Sequence, residues 1–373
     1  MRRVMLPRSA AQSSVIRSDP RSAAGPRVVA IGGGTGLPNV LRGLRGVLFA
    51  DRAAEGSPEP NRDERERLVA IVTTSDDGGS SGRLRAEFNM IPPGDIRNCL
   101  AALSDNHAQI ADIFQYRFGS GDGLNGHAIG NLVLAALADV TNDFAQAVEI
   151  AARVVGAWGV VLPATTELVT LVAEFADGRV LNGETAISGA GGRIARLTLL
   201  PDAPRCSPRV VDAIQRADVI VVGPGSLYTS LLPPLLVKPA AEAIQRSAAV
   251  RILVANLMTE PGETDDFSVL DHLLTIERHL GRQLFDCVIY NTMPVPALLA
   301  EGYGTRGASP IVTGTFELNA LERFGVRAIG VPLVSEHPAG KIRHHPDRLA
   351  SAITALARGK LGAWRGRAEV GGL

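Results

Sequence analysis

The sequence predicts a doubly wound α/β fold: a mostly parallel, Rossmann-like sheet covered by helices on both faces, with a small antiparallel β insertion. Three observations carry this. Short runs of apolar and β-branched residues recur without alternation, as strands buried on both faces require. Each is followed by a polar or glycine-rich turn and then a helical pattern, the rhythm of parallel strand–helix units. One stretch breaks that rhythm with two strand-like runs around Asp177-Gly178, a dipeptide that turns one antiparallel strand into the next.

Composition narrows the function classes. Of 373 residues, 46% are hydrophobic and 20% charged, the proportions of a folded chain with a sizeable core. Its 38 basic residues balance 38 acidic ones, so charge gives no pull toward nucleic acid or an anionic membrane. No apolar run approaches the roughly 18 residues of a spanning helix. Cys99, Cys206 and Cys287 lie far apart and in no CxxC pair, which reads as inert thiols in a reducing compartment, the cytoplasm. Residues 1–26 are basic and rich in Ser, Ala and Pro without a hydrophobic signal core. They read as a disordered tail ahead of one domain spanning 27–373.

The first strand falls in "RVVAIGG" (27–33) and runs into "GGGTGLPNVLRGL" (32–44). Gly33, Gly34, Thr35 and Gly36 let the backbone approach a ligand, and the following helix offers free N–H groups and a positive dipole end. The run is neither a dinucleotide fingerprint, since Leu37 stands at the third glycine position, nor a GxxxxGK[ST] loop. A plain tight turn explains four glycines in five residues less well than phosphate contact. Residues 51–67 are polar and Pro/Gly-punctuated, an exposed loop.

The second strand, "LVAIVTT" (68–74), leads into Asp76, Asp77, Gly78, Ser80, Ser81 and Arg83. Carboxylates at such a strand end can bind ribose hydroxyls or Mg²⁺, and serines and backbone N–H groups can bind phosphate oxygens. Arg83 or Arg85 can neutralise a diphosphate. The plainer alternative is an Asx turn and a helix capped near Ser81. Asp95 reads as the N-cap of a helix over 95–105, with Arg97 and Asn98 in its first turn. The helix dipole disfavours a cation there, so Arg97 is expected to serve a ligand or a carboxylate.

His127 and Asn131 stand four apart at the start of a helix over 128–140, on one face; structural and functional readings of His127 weigh equally. Residues 167–188 form the expected hairpin and 193–201 a third antiparallel strand. "DVIVVGPG" (218–225) repeats the first junction, with Gly225 and then Ser226 as N-cap of a new helix. "RILVANLMT" (251–259) ends in Asn256, ahead of a helix over 268–280, and "FDCVIYNT" (285–292) supplies a further strand. Four polar junctions thus meet at one sheet edge, the place where open α/β sheets bind ligands.

The motifs "GGGTGLPNVLRGL", "TSDDGGSSGRLR", "PPGDIRNCLAAL", "FQYRF", "GHAIGNLVLAAL", "GPGSLYTSLLP" and "NLMTEPGETDDF", in that order, resemble the YvcK family within the CofD-like superfamily. The similarity runs from about Val28 to Leu356. It implies a CofD-like α/β domain and a cytoplasmic gluconeogenesis factor needed for cell shape on gluconeogenic carbon. It also implies binding of a UDP-sugar of the UDP-N-acetylglucosamine type, control of cell-wall precursor supply, and glutamine–fructose-6-phosphate aminotransferase as a partner. A homo-oligomer is expected. Carried over by position, Gly33, Gly34, Thr35 and Gly36 match the nucleotide phosphate region, and Asp76, Asp77 and the following Gly-Ser run match the acidic loop beside it. Asn131, Gly225, Ser226 and Asn256 match further motif positions. The superfamily's other branch implies the alternative, a phospholactyl transferase acting on a deazaflavin acceptor, with Mg²⁺ held by Asp76 or Asp77. The chain departs from the family in Thr74-Ser75 before Asp76 and in its longer polar insertion, and matches less well after Tyr290.

Overall fold

The computed structural model describes residues 25–52, 60–104, 109–337 and 341–358; the expected tail lies outside them up to residue 24. Twelve strands are described: β1 (Val28–Gly32), β2 (Leu68–Val72), β3 (Val160–Pro163), β4 (Thr170–Phe175), β5 (Val180–Asn182), β6 (Ile194–Leu200), β7 (Val219–Val222), β8 (Val250–Val254), β9 (Cys287–Asn291), β10 (Arg327–Val331), β11 (Val334–His337) and β12 (Lys341–His344). Seven form one parallel sheet in the order β10-β9-β8-β7-β1-β2-β3.

Continuous apolar runs are buried because both sheet faces are covered. Val29, Ile31, Val69, Ile71, Ile220 and Val222 enter one core, where Val210, Ile214, Ile244 and Leu273 of covering helices join them. Their neighbours Val28, Ala30, Leu68, Ala70, Val219 and Val221 enter the other, beneath Leu37, Leu41, Leu44 and Ile353. The doubly wound fold is therefore as expected. Two strands carried too little signal. β3 is a four-residue edge strand ending at Pro163. β10 is the opposite edge, partly exposed, with Arg327 and Gly330 in its run.

The insertion is a three-stranded antiparallel sheet, β5-β4-β6. Its Leu171, Ala173, Phe175, Leu197 and Leu199 share the core of Val29 and Ile31. The expected second hairpin strand stops at Asn182. Gly183 turns with φ +94 and a helix, Glu184–Ala190, replaces the rest. Within the polar segment before β2, residues 53–59 lie outside the described ones, and Arg62–Arg65 forms one helical turn with an Asn61/Glu64 capping box. Cys99, Cys206 and Cys287 are unpaired, and burial pushes the last two thiols up to about 11 and about 12. No helix among the described residues is long and apolar enough to cross a membrane.

The chain runs outward from β1 to β2 and β3 on one side, then returns to β7 and proceeds to β10 on the other. The order reverses between β1 and β7, so loops at their carboxyl ends part in opposite directions and leave a crevice.

Candidate functional site at the sheet switch point

The turn after β1 sits at that crevice, and its glycines answer to the chain's own packing. A Cβ on Gly36 would strike the Pro224 carbonyl of the β7 turn, and one on Gly33 would strike Thr73 after β2. Gly34 has φ +60, where only glycine is unstrained. Its N–H donates to Asp95 Oδ2 at 2.8 Å. The β1, β2 and β7 junctions are therefore in direct contact. Thr35 is exposed beside them.

Asp95 overturns its expected role. The helix begins one residue earlier, Gly94–Leu103, with Pro93 at the N-cap and no side-chain cap. Asp95 instead reaches across to the glycine turn. Burial raises its carboxyl to about 6, against the opposing pull of the Gly34 N–H and with a further push from Asp76.

The acidic loop divides its labour. Asp76 Oδ1 accepts from Gly78 N at 2.9 Å, the Asx turn of the plainer alternative. The helix Gly79–Phe88 then starts ahead of Ser81, on Gly78. Asp77 Oδ1 accepts from Thr185 N (2.9 Å) and Thr185 Oγ1 (2.6 Å), and its Oδ2 is pressed against Gly183. Gly183 supplies no side-chain cap of its own. Asp77 therefore caps the insertion helix from outside it. Arg83 donates to the Asn125 carbonyl and Arg85 to Thr170 Oγ1, so both cations are held by protein oxygens.

Ser80, His127 and Asn131 form one buried network. Ser80 Oγ lies 3.0 Å from His127 Nδ1 and accepts from Asn131 Nδ2 at 3.0 Å. The side chain of Asn131 thus meets a serine. Burial, then nearby Arg83, lowers the His127 pKa. Ser81 packs against Gly94. Arg97 is only 5% exposed. It donates through Nη2 to Asn98 Oδ1 at 2.8 Å, while Nε and Nη1 are buried without partners. Burial, then the charge of Arg117, lowers its pKa to about 10.

At the β7 and β8 ends, Asn256 brackets one residue: Oδ1 accepts from Gly225 N at 3.1 Å and Nδ2 donates to Gly225 O at 2.8 Å. Ser226 makes no side-chain cap. Its hydroxyl donates to Glu263 Oε2 at 2.7 Å and accepts from Thr229 Oγ1, and the turn it precedes, Leu227–Leu231, is π-helical. Such turns recur at functional sites.

Two further carboxylates join the rim. Burial first, then the neighbouring Asp76 and Asp95 charges, raise Glu184 to about 9. Burial and Glu263 raise Glu260 to about 7. Sequence reasoning missed both: Glu184 stood inside an expected strand, and Glu260 carried no signal beyond its place in the β8 motif. A cavity of about 760 Å³ lies against the acidic loop, lined by Asp77, Gly79, Arg85 and Thr185 among others, a size that suits a small-molecule ligand.

As a pair, Asp76 and Asp77 do not fit a shared Mg²⁺, because Asp77 is committed to the insertion helix. Asp76 keeps Oδ2 outside any hydrogen bond among the described residues, which suits the single-carboxylate contact Mg²⁺ makes when it keeps its waters. Among the described residues no three His, Cys, Asp or Glu side chains group as metal ligands.

The fold and this rim define a class. The model of the family described as 2-phospho-L-lactate transferase CofD matches residues 28–334, and the chain belongs to that family. Within it, similarity leads to the gluconeogenesis factors. The chain is 39% identical over 333 residues to the gluconeogenesis factor of Bacillus subtilis, covering 89% of this chain and 98% of that one. It is 44% identical over 330 residues to a Nostoc sp. protein, covering 88% of this chain and 68% of that one. A crystal structure of a Bacillus halodurans protein superposes with TM-score 0.79 at 39% identity, covering 88% of this chain and 99% of the other.

Proposed function

We propose that the crevice between β1 and β7 binds a nucleotide diphosphate sugar of the UDP-N-acetylglucosamine type, and that the protein is a non-catalytic regulator. It responds to that ligand in the cytoplasm and adjusts carbon flux to cell-wall precursors, supporting cell shape under gluconeogenic growth. The observation that carries the reading is the direct contact of the β1, β2 and β7 junctions, Gly36 on Pro224 and Gly34 on Asp95, at the sheet's switch point. The similarity to the gluconeogenesis factor of Bacillus subtilis supports it. Isothermal titration should give heat with UDP-N-acetylglucosamine and no turnover; silence with every uridine sugar refutes the reading. Glutamine–fructose-6-phosphate aminotransferase is the proposed partner, and co-purification that rises or falls with the UDP-sugar is its test.

A second reading, a phospholactyl transferase, draws support from the family model's description and from the free Oδ2 of Asp76 beside carboxyls raised by burial and, less, by one another's charge. Such a cluster gains from a divalent cation. Bound there through Asp76, Mg²⁺ would neutralise a diphosphate. Product formation from a deazaflavin acceptor and a guanylylated donor would establish this reading, and its absence alongside UDP-sugar binding leaves the regulator.

A further inference from the structure

Arg97 occupies the first turn of the helix Gly94–Leu103, where the dipole repels a cation. It is 5% exposed and makes no ion pair among the described residues, although the charges of Asp95 and Asp76 are near enough to raise its pKa against the larger effect of burial. Nε and Nη1 are buried and unpartnered. A native chain rarely leaves two donors of one guanidinium in that state. The space for this side chain is provided for: a Cβ on Gly130 would come within 2.8 Å of Arg97 Cγ and 2.6 Å of Phe114.

The surroundings are as unusual as the side chain. Gly130 lies in the first turn of the helix Ile129–Thr141. Ser80, in the first turn of Gly79–Phe88, is bonded to Asn131 in that same turn, while Ser81 packs on Gly94 at the head of Arg97's own helix. Three helix N-termini therefore pack together, and the stem of the under-bonded Arg97 lies against one of them. Each helix start carries a positive dipole end, and the guanidinium offers oxyanion oxygens two unpartnered donors, Nε and Nη1, on different edges.

We propose that Arg97 is the phosphate anchor of this protein: its unpartnered N–H groups receive phosphate oxygens of the bound nucleotide beside the three packed helix N-termini. The inference rests on the nucleotide reading above and adds to it the residue that carries phosphate affinity, in place of Arg83 and Arg85. Lysine is not equivalent, because its point charge lacks the planar array of guanidinium donors.

The test uses the full-length protein, titrated with UDP, uridine and inorganic phosphate, with thermal melts of the ligand-free and phosphate-loaded forms. The variants are Arg97→Gln, Arg97→Lys and, as control, Arg209→Gln, which removes only an exposed ion pair to Glu149. The wild type should prefer UDP to uridine. Arg97→Gln should lose affinity for UDP by about 30-fold, the scale of a charge-assisted contact, with uridine binding unchanged. Arg97→Lys should recover no more than a small part. Inorganic phosphate should raise the melting temperature of the wild type and of Arg209→Gln, and not of Arg97→Gln. The ligand-free Arg97→Gln protein should melt no lower than the wild type, because it loses unsatisfied donors. UDP binding by both Arg97 variants at wild-type strength overturns the proposal. If the wild type ignores every nucleotide, the nucleotide reading fails, and the phosphate melts decide Arg97 alone: stabilisation dependent on Arg97 upholds the anchor, and no stabilisation overturns it. Should Arg97→Gln not fold, Arg97→Lys, which keeps the charge, carries the comparison.

Discussion

Replacing Asp77 with alanine separates a structural carboxylate from a ligand-binding one. The Asp77 side chain gives the helix Glu184–Ala190 its cap from outside, through bonds of 2.9 and 2.6 Å to Thr185 N and Oγ1. A lost N-cap costs about 0.5–2 kcal/mol, and a bond to a charged acceptor about 1.5–3 kcal/mol. Thr185 is exposed, so water replaces part of what is lost, and the expected cost is about 2 kcal/mol. Asp77→Asn keeps an acceptor and should cost under about 1 kcal/mol. In urea, Asp77→Ala should lower the midpoint without changing the slope. Hydrogen exchange should accelerate selectively across 184–190, where capping is lost. A double-mutant cycle with Thr185→Ala should return a coupling of about 1 kcal/mol from the hydroxyl bond. UDP-sugar affinity should fall modestly, through the loosened wall of the adjoining cavity. If Asp77→Ala keeps full stability and slow exchange yet abolishes binding, the carboxylate is a ligand group and the capping argument is wrong.

Three other substitutions test other parts of the rim. The Glu184 carboxyl stands at about 9 when folded against an ordinary 4.5; the folded state holds that proton more tightly, so its contribution to stability declines as pH rises from about 4.5 to about 9. Glu184→Gln should therefore gain about 1–3 kcal/mol on the wild type at pH 8 and little at pH 5, and equal differences at the two pH values would refute the assignment. Gly36→Ala drives a methyl into the Pro224 carbonyl and should cost about 1–3 kcal/mol with loss of UDP-sugar binding, read by denaturation and titration. Asn256→Ala removes both bonds that bracket Gly225 and should cost about 1–2 kcal/mol in denaturation; an unchanged midpoint would mean that the turn holds itself.

The sheet was legible because burial on both faces leaves an unbroken apolar run, as in β1 and β2, that nothing else in the chain imitates. The edges were not, because β3 is only four residues long and β10 is partly exposed, with Arg327 and Gly330 breaking its apolar run. The glycine turn was read for its ligand, yet Gly33 and Gly36 are explained by neighbours 40 and 188 residues distant, Thr73 and Pro224, which no local pattern encodes. Asp95 misled for the same reason. A carboxylate beside a helix start is ordinarily a cap, and only the tertiary fold brings Gly34 N within its reach. Arg97 was legible as an anomaly, a cation at the wrong end of a dipole, though its missing partners became visible only once its burial was known.

That Asp95–Gly34 bond bears on how an anionic ligand enters. If a diphosphate takes the Gly34 N–H, it displaces the carboxylate and places negative charge beside it. Both effects raise the Asp95 pKa above its ligand-free value of about 6. Binding then takes up protons between about pH 6 and 7, and affinity rises as pH falls through that range. A rise of about one unit limits the gain to about tenfold. Titration in two buffers of different ionisation enthalpy measures the uptake, and UDP alone supplies the correction for the ligand's own phosphate. Asp95→Asn, which cannot ionise, should abolish the protein's share of the uptake and flatten the pH profile. Identical uptake in both proteins would mean that Asp95 holds its proton state throughout, and that the ligand's phosphates settle elsewhere than on the glycine turn.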